Sequence, residues 1–555
     1  SQQVIAELSG GENPSIFLNP DTNEYTDADD YLSGNVKSKL QKAKDAGLRP
    51  NVRALEAVQP APKVKDNVRP SIRGAWMPES VFADFLTDLG AKDPRVSIIA
   101  SQGMILASSN GLKETEFGSQ FKNSQKSVVE LFNSAASGKP ITIWVTDSKG
   151  NRSKNETATK EVNLLVERMA KVFNEWAWSN ETRVQQVVDA FNEKMNTHIP
   201  RQYDGNKYLR PVGASPSIEL RTTQKNAAWR IVQAQSVLLD HVVGAGKTYT
   251  VITGAMQRRR LGLSRKPMIV VPNHLVTQWA RDFYSLYPGA KILAATPDDF
   301  AKNRRRRLFS RIATGDFDAV IIGHSSLAFI ETPLADQQLV INEQIKELQD
   351  VLNELKKKKE SGRTLTQIQE KLQKYEGKLK ELQDVRRDEI GIDLEKMGVD
   401  YLAVDEMHEF KNLEYSTAGE RVVGMNDPKG SKKAFDLYLK IRGILARGGS
   451  VTGATGTPVS NSLVELYTMM KYLAHQDLVE RNQLNFDAWS GAYARTETKL
   501  EYTATQKLKS RRVLAGLNNL SALKQLYEQF GDVISMADLK RIHAEDVRRK
   551  NAKDG

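Results

Sequence analysis

The sequence predicts an α/β fold: a parallel sheet with helices on both faces, interrupted by an antiparallel coiled-coil hairpin and preceded by a smaller α+β region. Three observations carry this prediction. Compact apolar runs at Met268 to Val271, Ala319 to Ile322 and Leu402 to Val404 read as strands buried on both faces, with amphipathic stretches between them. The run SVLLDHVVGAGKT, residues 236–248, breaks from apolar residues into a glycine-bracketed loop. Residues 336–389 are nearly all helix formers with apolar residues in steps of three and four.

Residues 1–70 are rich in Pro, Asn and Asp and read as an extended linking or wrapping segment, interrupted by a short helix from about Ala28 to Ala46. Residues 71–200 read as a small α+β accessory domain. VSIIASQGMILAS and ITIWVTDSKGN have strand character, the second ending in a turn at Ser148-Lys149-Gly150. Helical spacing follows from Lys160 to Met195, in Leu164, Leu165, Met169, Val172, Phe173 and Trp176.

The α/β unit occupies residues 201–335 and 390–540. At its start Val237, Leu238 and Leu239 deliver a loop in which Gly244 and Gly246 let backbone N–H groups close on phosphate oxygens. Lys247 is placed to reach the β- and γ-phosphates of ATP, and the Thr248 hydroxyl to hold Mg²⁺; Ala245 and Tyr249 complete the stretch. The match to GxxxxGK[ST] departs at its first position, where His241 stands in place of Gly or Ala. Such a site needs a second acidic group on a neighbouring strand. VDYLAVDEMHEF supplies it: Asp405 as the Mg²⁺-side carboxylate and Glu406 as the base that polarises water, at the carboxyl end of the Tyr401 to Val404 run.

Residues 336–389 interrupt this unit. Ile341, Ile345, Leu348, Leu352 and Leu355 form one apolar stripe, and Leu365, Ile368, Leu372, Tyr375, Leu379, Leu382 and Val385 a second, with a turn at Ser361-Gly362-Arg363. The hairpin extends roughly 30 Å at about 1.5 Å per residue. It accounts for the long separation of Lys247 from Asp405. After the GATGTP segment, apolar residues at Leu463, Leu466, Met470 and Leu473 predict a helix from Ser462 to Leu473, capped by Asn461. Residues 541–555 are polar and read as a frayed helix or a linker.

Composition sets outer bounds. A chain of 555 residues exceeds one core, and with no cysteine it has neither disulfides nor thiolate metal sites, which points to a cytoplasmic setting. No apolar run is long enough to cross a bilayer. The formal charge of +12 is modest at this length, so its distribution matters more. Basic residues bunch at Arg258 to Arg260, Arg304 to Arg307 and Lys356 to Lys359, each either a solvated face or a contact to nucleic-acid phosphates. Arg304 and Arg305, in an expected loop between two strands, are the best candidates for contact. For the tetralysine at the hairpin tip, a partner, nucleic acid and plain solvation stay open.

The order LRTTQKNAAWRI, HVVGAGKT, PMIVVPNHLVTQW, DAVIIGHSSL, DEMHEFKN and GATGTPVSNSLVELYTMMKYL resembles the first, RecA-like motor lobe of superfamily 2 helicases of the Swi/Snf type. That resemblance implies that Gln224 reads the adenine and that Gly244, Ala245, Gly246, Lys247, Thr248 and Tyr249 bind ATP with Mg²⁺. It implies that His408, Thr455, Gly456 and Thr457 couple the nucleotide state to grip on DNA. Pro272, His274, Gln278 and Trp279, with His324, Ser325 and Ser326, fall where that family contacts double-stranded DNA. The flanks DADDYLSGNVKSKLQKAKDAG, RGAWMPESVFADFL and FNEWAWSNETRVQQVVDAFNEKMNTHIPRQYDG resemble phage- and plasmid-borne proteins that fuse an adenine methyltransferase to such a motor, the DarB-type antirestriction proteins among them.

The chain contains neither an Asn/Asp-Pro-Pro-aromatic methyltransferase signature nor a QxxGRxxR motif carrying an arginine finger. The expectation is a fragment or truncation of a larger protein, holding half of an ATP site. Three readings follow: a translocase motor of a phage DNA-modification or antirestriction protein, an ATP- and DNA-binding module without turnover, and a structural component packaged in the virion whose hairpin docks phage or defence proteins.

Overall fold

Seven strands form one all-parallel sheet: β1 (Ser236–His241), β2 (Pro267–Val271), β3 (Ile292–Ala294), β4 (Ala319–Gly323), β5 (Tyr401–Asp405), β6 (Ser450–Thr455) and β7 (Gly531–Ile534). Their order is β3-β4-β2-β5-β6-β1-β7. The structure is a computed structural model and describes residues 2–11, 14–357, 363–384, 392–417, 428–459, 462–502 and 508–554. The three apolar runs read as strands lie in β2, β4 and β5. The sheet corrects one expectation: the acidic strand β5 is not the neighbour of the loop strand β1, because β6 lies between them. β6 escapes a hydrophobicity reading because its SVTGAT sequence is half polar, yet all six residues are buried. Tyr401 donates to Thr452 across the β5–β6 pair at 3.0 Å, so part of that polarity is satisfied inside the sheet.

Successive residues of a strand face opposite sides of the sheet, and both sides here are covered. Leu238, Met268, Val270, Val320, Ile322, Leu402, Val404 and Val451 join the largest core cluster, which continues into Phe82, Phe85, Phe132, Phe173 and Trp176 of the accessory region. Val237, Leu239, Ile269, Val271, Ile321 and Ala403 pack instead on Ile231, Val251, Ile252, Trp279 and Phe283. Those partners belong to α1 (Thr222–Gln233), α2 (Lys247–Arg260) and α3 (Val276–Leu286).

The inserted helices are α4 (Leu334–Lys357) and α5 (Arg363–Asp384), packed on each other. Ser361 and Gly362 of the expected turn, Lys358 and Lys359 of the tetralysine, and Val385 lie outside the described residues. The pair does not stand free. Leu348, Val351, Leu352, Leu355 and Ile368 share a cluster with Ile99, joined by Met104 and Leu106 of the Arg95–Ile99/Met104–Ser108 β-hairpin. Gln102 donates to Glu347 at 2.6 Å, while Arg442 and Arg447, on and just after the helix Lys432–Ala446 that precedes β6, pair with Glu343 and Asp336. The insertion thus bridges accessory region and sheet.

The first seventy residues are also more than a linker. Phe17, Tyr31, Val36, Ala43 and Leu55, each at most 3% exposed, form a small core of their own. The expected helix divides into Ala28–Tyr31 and Val36–Asp45, with Asn35 capping the second. The Lys160 to Met195 stretch divides too, into Glu156–Ala177 and Glu181–Lys194, at an Asn180 cap. The asparagine expected to cap the helix Leu463–Leu473, Asn461, lies outside the described residues, and Ser462 caps it. Residues 541–554 continue the helix Met536–Asp554. Among the described residues no helix is long and apolar enough to cross a membrane.

Candidate nucleotide site

β1 ends at His241 and α2 begins at Lys247, so the intervening loop must reverse direction in five residues. Gly244 and Gly246 make this possible at φ of +87° and +86°, a region that side-chain-bearing residues enter at a cost. No atom lies within 4 Å of where a Cβ on Gly244 would stand, so the backbone there faces open space. At Gly246 the corresponding space is filled by the Gln224 amide. Gln224, 6% exposed, donates from Nε2 to the Gly246 carbonyl at 3.2 Å and accepts the Arg221 N–H at 2.9 Å. The side chain expected to read adenine therefore also struts the loop.

The Lys247 ammonium donates to the His241 carbonyl at 2.8 Å. Thr248 is half-buried in the first turn of α2, Ala245 is buried, and Tyr249 packs against the core cluster that contains Ile231 and Val251. Arg221 reaches the same loop, donating to the Gly244 carbonyl at 3.3 Å. Arg221 is legible in the sequence only by its place three residues before Gln224, on the turn into α1.

The acidic pair ends β5. Asp405 is 8% exposed, and its carboxyl is pushed up to about 6, chiefly by burial and then by the neighbouring Glu406 charge. The Glu406 N–H, the Lys247 charge and the Trp279 indole pull the other way. Glu406 holds a left-handed backbone at φ 48°, ψ 49°, a conformation that costs of order 1–3 kcal/mol in a non-glycine residue. Its carboxylate lies 3.2 Å from His408 Nδ1, which is 3.0 Å from Thr455 Oγ1. Thr455 Oγ1 in turn accepts the Thr457 N–H at 3.1 Å. A Cβ on Gly456 would stand 3.7 Å from Lys247 Nζ. Loop, carboxylates and the Thr455-Gly456-Thr457 segment thus meet at the carboxyl ends of β1, β5 and β6, where ligands of open α/β sheets bind.

The positions marked as DNA contacts divide. His274 and Gln278 are exposed and Pro272 half-exposed, after β2. Ser325 is exposed after β4, its N–H and Oγ each 3.1 Å from Asn273 Oδ1, so Asn273 organises this edge without having been singled out. Trp279, His324 and Ser326 are 2%, 8% and 1% exposed and lie largely beneath that surface. Trp279 shares the inward stripe of α3 with Val276, Phe283 and Leu286, the spacing of a buried helix face. His324 donates from Nε2 to the Asp405 carbonyl at 2.8 Å, and burial pushes its ring down to about 4.

The basic clusters divide as well. Arg304, Arg306 and Arg307 are exposed, at the start of the helix Arg305–Thr314 and not in the expected loop; Arg305 lies over the Phe329 ring at 5.5 Å. Arg258 is buried and donates to the Ile231 and Val232 carbonyls at 2.9 Å, satisfying the end of α1.

An all-parallel sheet that brings a glycine loop, its lysine and an acidic pair to one set of strand ends defines a P-loop lobe of RecA-like architecture. The model of a family described as "Probable helicase domain" matches residues 229–534, more than half of the chain, and the chain belongs to that family. A second family model, "Domain of unknown function (DUF8437)", matches residues 72–197. Among solved structures, the SWI2/SNF2 ATPase core of Sulfolobus solfataricus in complex with dsDNA is similar at 14% identity and a TM-score of 0.28. The similarity covers 50% of this chain and 39% of that one, so the chain spans about two fifths of its length. No curated protein matches the chain.

Proposed function

We propose that residues 201–540 bind ATP with Mg²⁺ and act as the first motor lobe of a translocase on duplex DNA, with residues 71–200 as an accessory domain. The observation that carries this reading is the meeting of Lys247, Asp405, Glu406 and Thr455 around a loop whose Gly244 faces open space. Phosphate oxygens fit that space: backbone N–H groups and the amino end of α2 supply donors, and Lys247 supplies a charge now resting on a carbonyl. Thr248 and Asp405 would hold Mg²⁺, whose charge would counter that of the phosphates. A cation also suits Asp405, whose ionisation burial and Glu406 oppose.

Glu406 then serves as the base toward water, and its contact through His408 to Thr455 and Thr457 ties that base to the segment assigned to DNA grip. Exposed His274, Gln278 and Ser325, with Pro272, Arg304 and Arg305, form the DNA side. The likeness of the flanks to methyltransferase–motor fusions supports a role in phage or plasmid DNA modification or antirestriction.

ATP hydrolysis stimulated by duplex DNA, and lost in Lys247→Ala and Glu406→Gln, is the expected result. Binding of ATP and DNA without turnover would favour a binding module that does not hydrolyse ATP on its own. A chain that binds no nucleotide rejects both readings.

A further inference from the structure

His241, the one residue that departs from the phosphate-loop pattern, is 1% exposed. Its Nε2 lies 2.8 Å from Asp532 Oδ1 on β7, the edge strand beside β1. Ile534 pairs with His241 and Asp532 with Leu239, which puts the Asp532 and His241 side chains on one face of the pair. The pairing runs on into the loop, where the Val242 N–H donates to the Ile534 carbonyl at 3.0 Å.

Two further links hold the same strand end. Tyr527 donates to Asp240 at 3.0 Å. Arg230, on α1, donates to the Gly531, Glu528 and Gln529 carbonyls at 2.8 to 3.0 Å and stands 3.8 Å from Asp532 Oδ2. Asp532 is therefore itself fixed, with one oxygen toward Arg230 and the other toward His241. The backbone of His241 faces the site, since its carbonyl is the acceptor on which Lys247 Nζ rests.

We propose that Asp532 is a positioning residue of the nucleotide site: through the His241 ring it fixes the strand end and the carbonyl that receives Lys247, and so sets the pose of residues 242–246. A glycine or alanine at position 241 has no side chain to tether. Here a histidine supplies the tether, and the edge strand supplies its anchor. Because β7 leads directly into the helix Met536–Asp554, the tether also joins the phosphate loop to the segment that follows the sheet.

The inference rests on the ATP reading, and a double-mutant cycle on Mg²⁺-ATP binding separates the two. Asp532→Ala should weaken binding about tenfold, the loss expected for one hydrogen bond to a charged group. His241→Gly should weaken it by a similar factor, and the double variant by no more than either single one. Asp532→Asn, which keeps an acceptor for the ring, should restore most of the affinity. Damage to β7 alone would act equally in both backgrounds, so losses that multiply overturn the proposal, as does an Asp532→Ala that binds like the parent. If Asp532→Ala does not fold, Asp532→Ser, too short to reach the ring, gives the same reading. A parent chain that binds no ATP refutes the proposed function itself, whereas a binding parent with an inert Asp532 refutes only this inference.

Discussion

Two glycines separated by a single residue should fail in different ways when a methyl group is added. Gly244 and Gly246 have nearly the same left-handed φ, so alanine at either pays the same conformational cost of about 1–2 kcal/mol. At Gly244 the new methyl meets nothing, and the stability loss ends there. At Gly246 it enters the space of the Gln224 amide, which must leave the Gly246 carbonyl and the Arg221 N–H. Two hydrogen bonds at about 1 kcal/mol each bring the expected loss for Gly246→Ala to about 3–4 kcal/mol. Urea unfolding measures both values. Equilibrium titration with Mg²⁺-ATP supplies the second axis, on which Gly244→Ala should lose affinity despite its small stability cost, because its methyl fills the space assigned to phosphate. Equal stability losses would refute the strut assigned to Gln224, and undiminished ATP binding by Gly244→Ala would refute the assignment of that space.

Other outcomes follow from burial and charge. Leu355 is fully buried where the inserted helices meet Ile99, so Leu355→Ala should cost about 2–5 kcal/mol in chemical unfolding, and a loss below about 1 kcal/mol would contradict that packing. His324 and His475, pushed by burial down to about 4 and about 3, stay neutral in the fold while the unfolded chain takes up protons below about 6.5. Stability should therefore fall as pH drops from 6.5 toward 4, by on the order of 3 kcal/mol for each ring. Asp405 works in the opposite direction: raised to about 6, it binds its proton in the fold before the unfolded chain does, which relieves a penalty across the same window. Asp405→Asn should consequently steepen the acid loss, and thermal unfolding at pH 7, 5.5 and 4.5 that showed a shallower slope would contradict the assignment.

Much of the sheet was legible because parallel strands buried on both faces leave continuous apolar runs, as in β2, β4 and β5. β6 was not, because its Ser450, Thr452 and Thr455 are buried by their place between β5 and β1, a fact of topology that no local pattern records. The same gap put Asp405 on the wrong neighbour. In the candidate site, the loop and the acidic pair are contiguous motifs and could be read directly. The roles of His241 and Gln224 could not: each depends on a partner that only the fold brings close, Asp532 in one case and the Gly246 carbonyl in the other. Trp279 and His324 show the converse, since a motif position suggested a surface while the spacing of α3 already placed Trp279 inside. The first seventy residues looked like a linker because a core of five side chains is too small to dominate composition.

The central claim is that this lobe grips a nucleotide through Lys247, and equilibrium binding of a fluorescent ATP analogue with Mg²⁺ tests it most directly. The parent chain should bind saturably, and Lys247→Ala should lose at least roughly a hundredfold, the scale of removing a charge–phosphate contact worth about 3 kcal/mol. Equal affinity of the two proteins, with both folded, would contradict it.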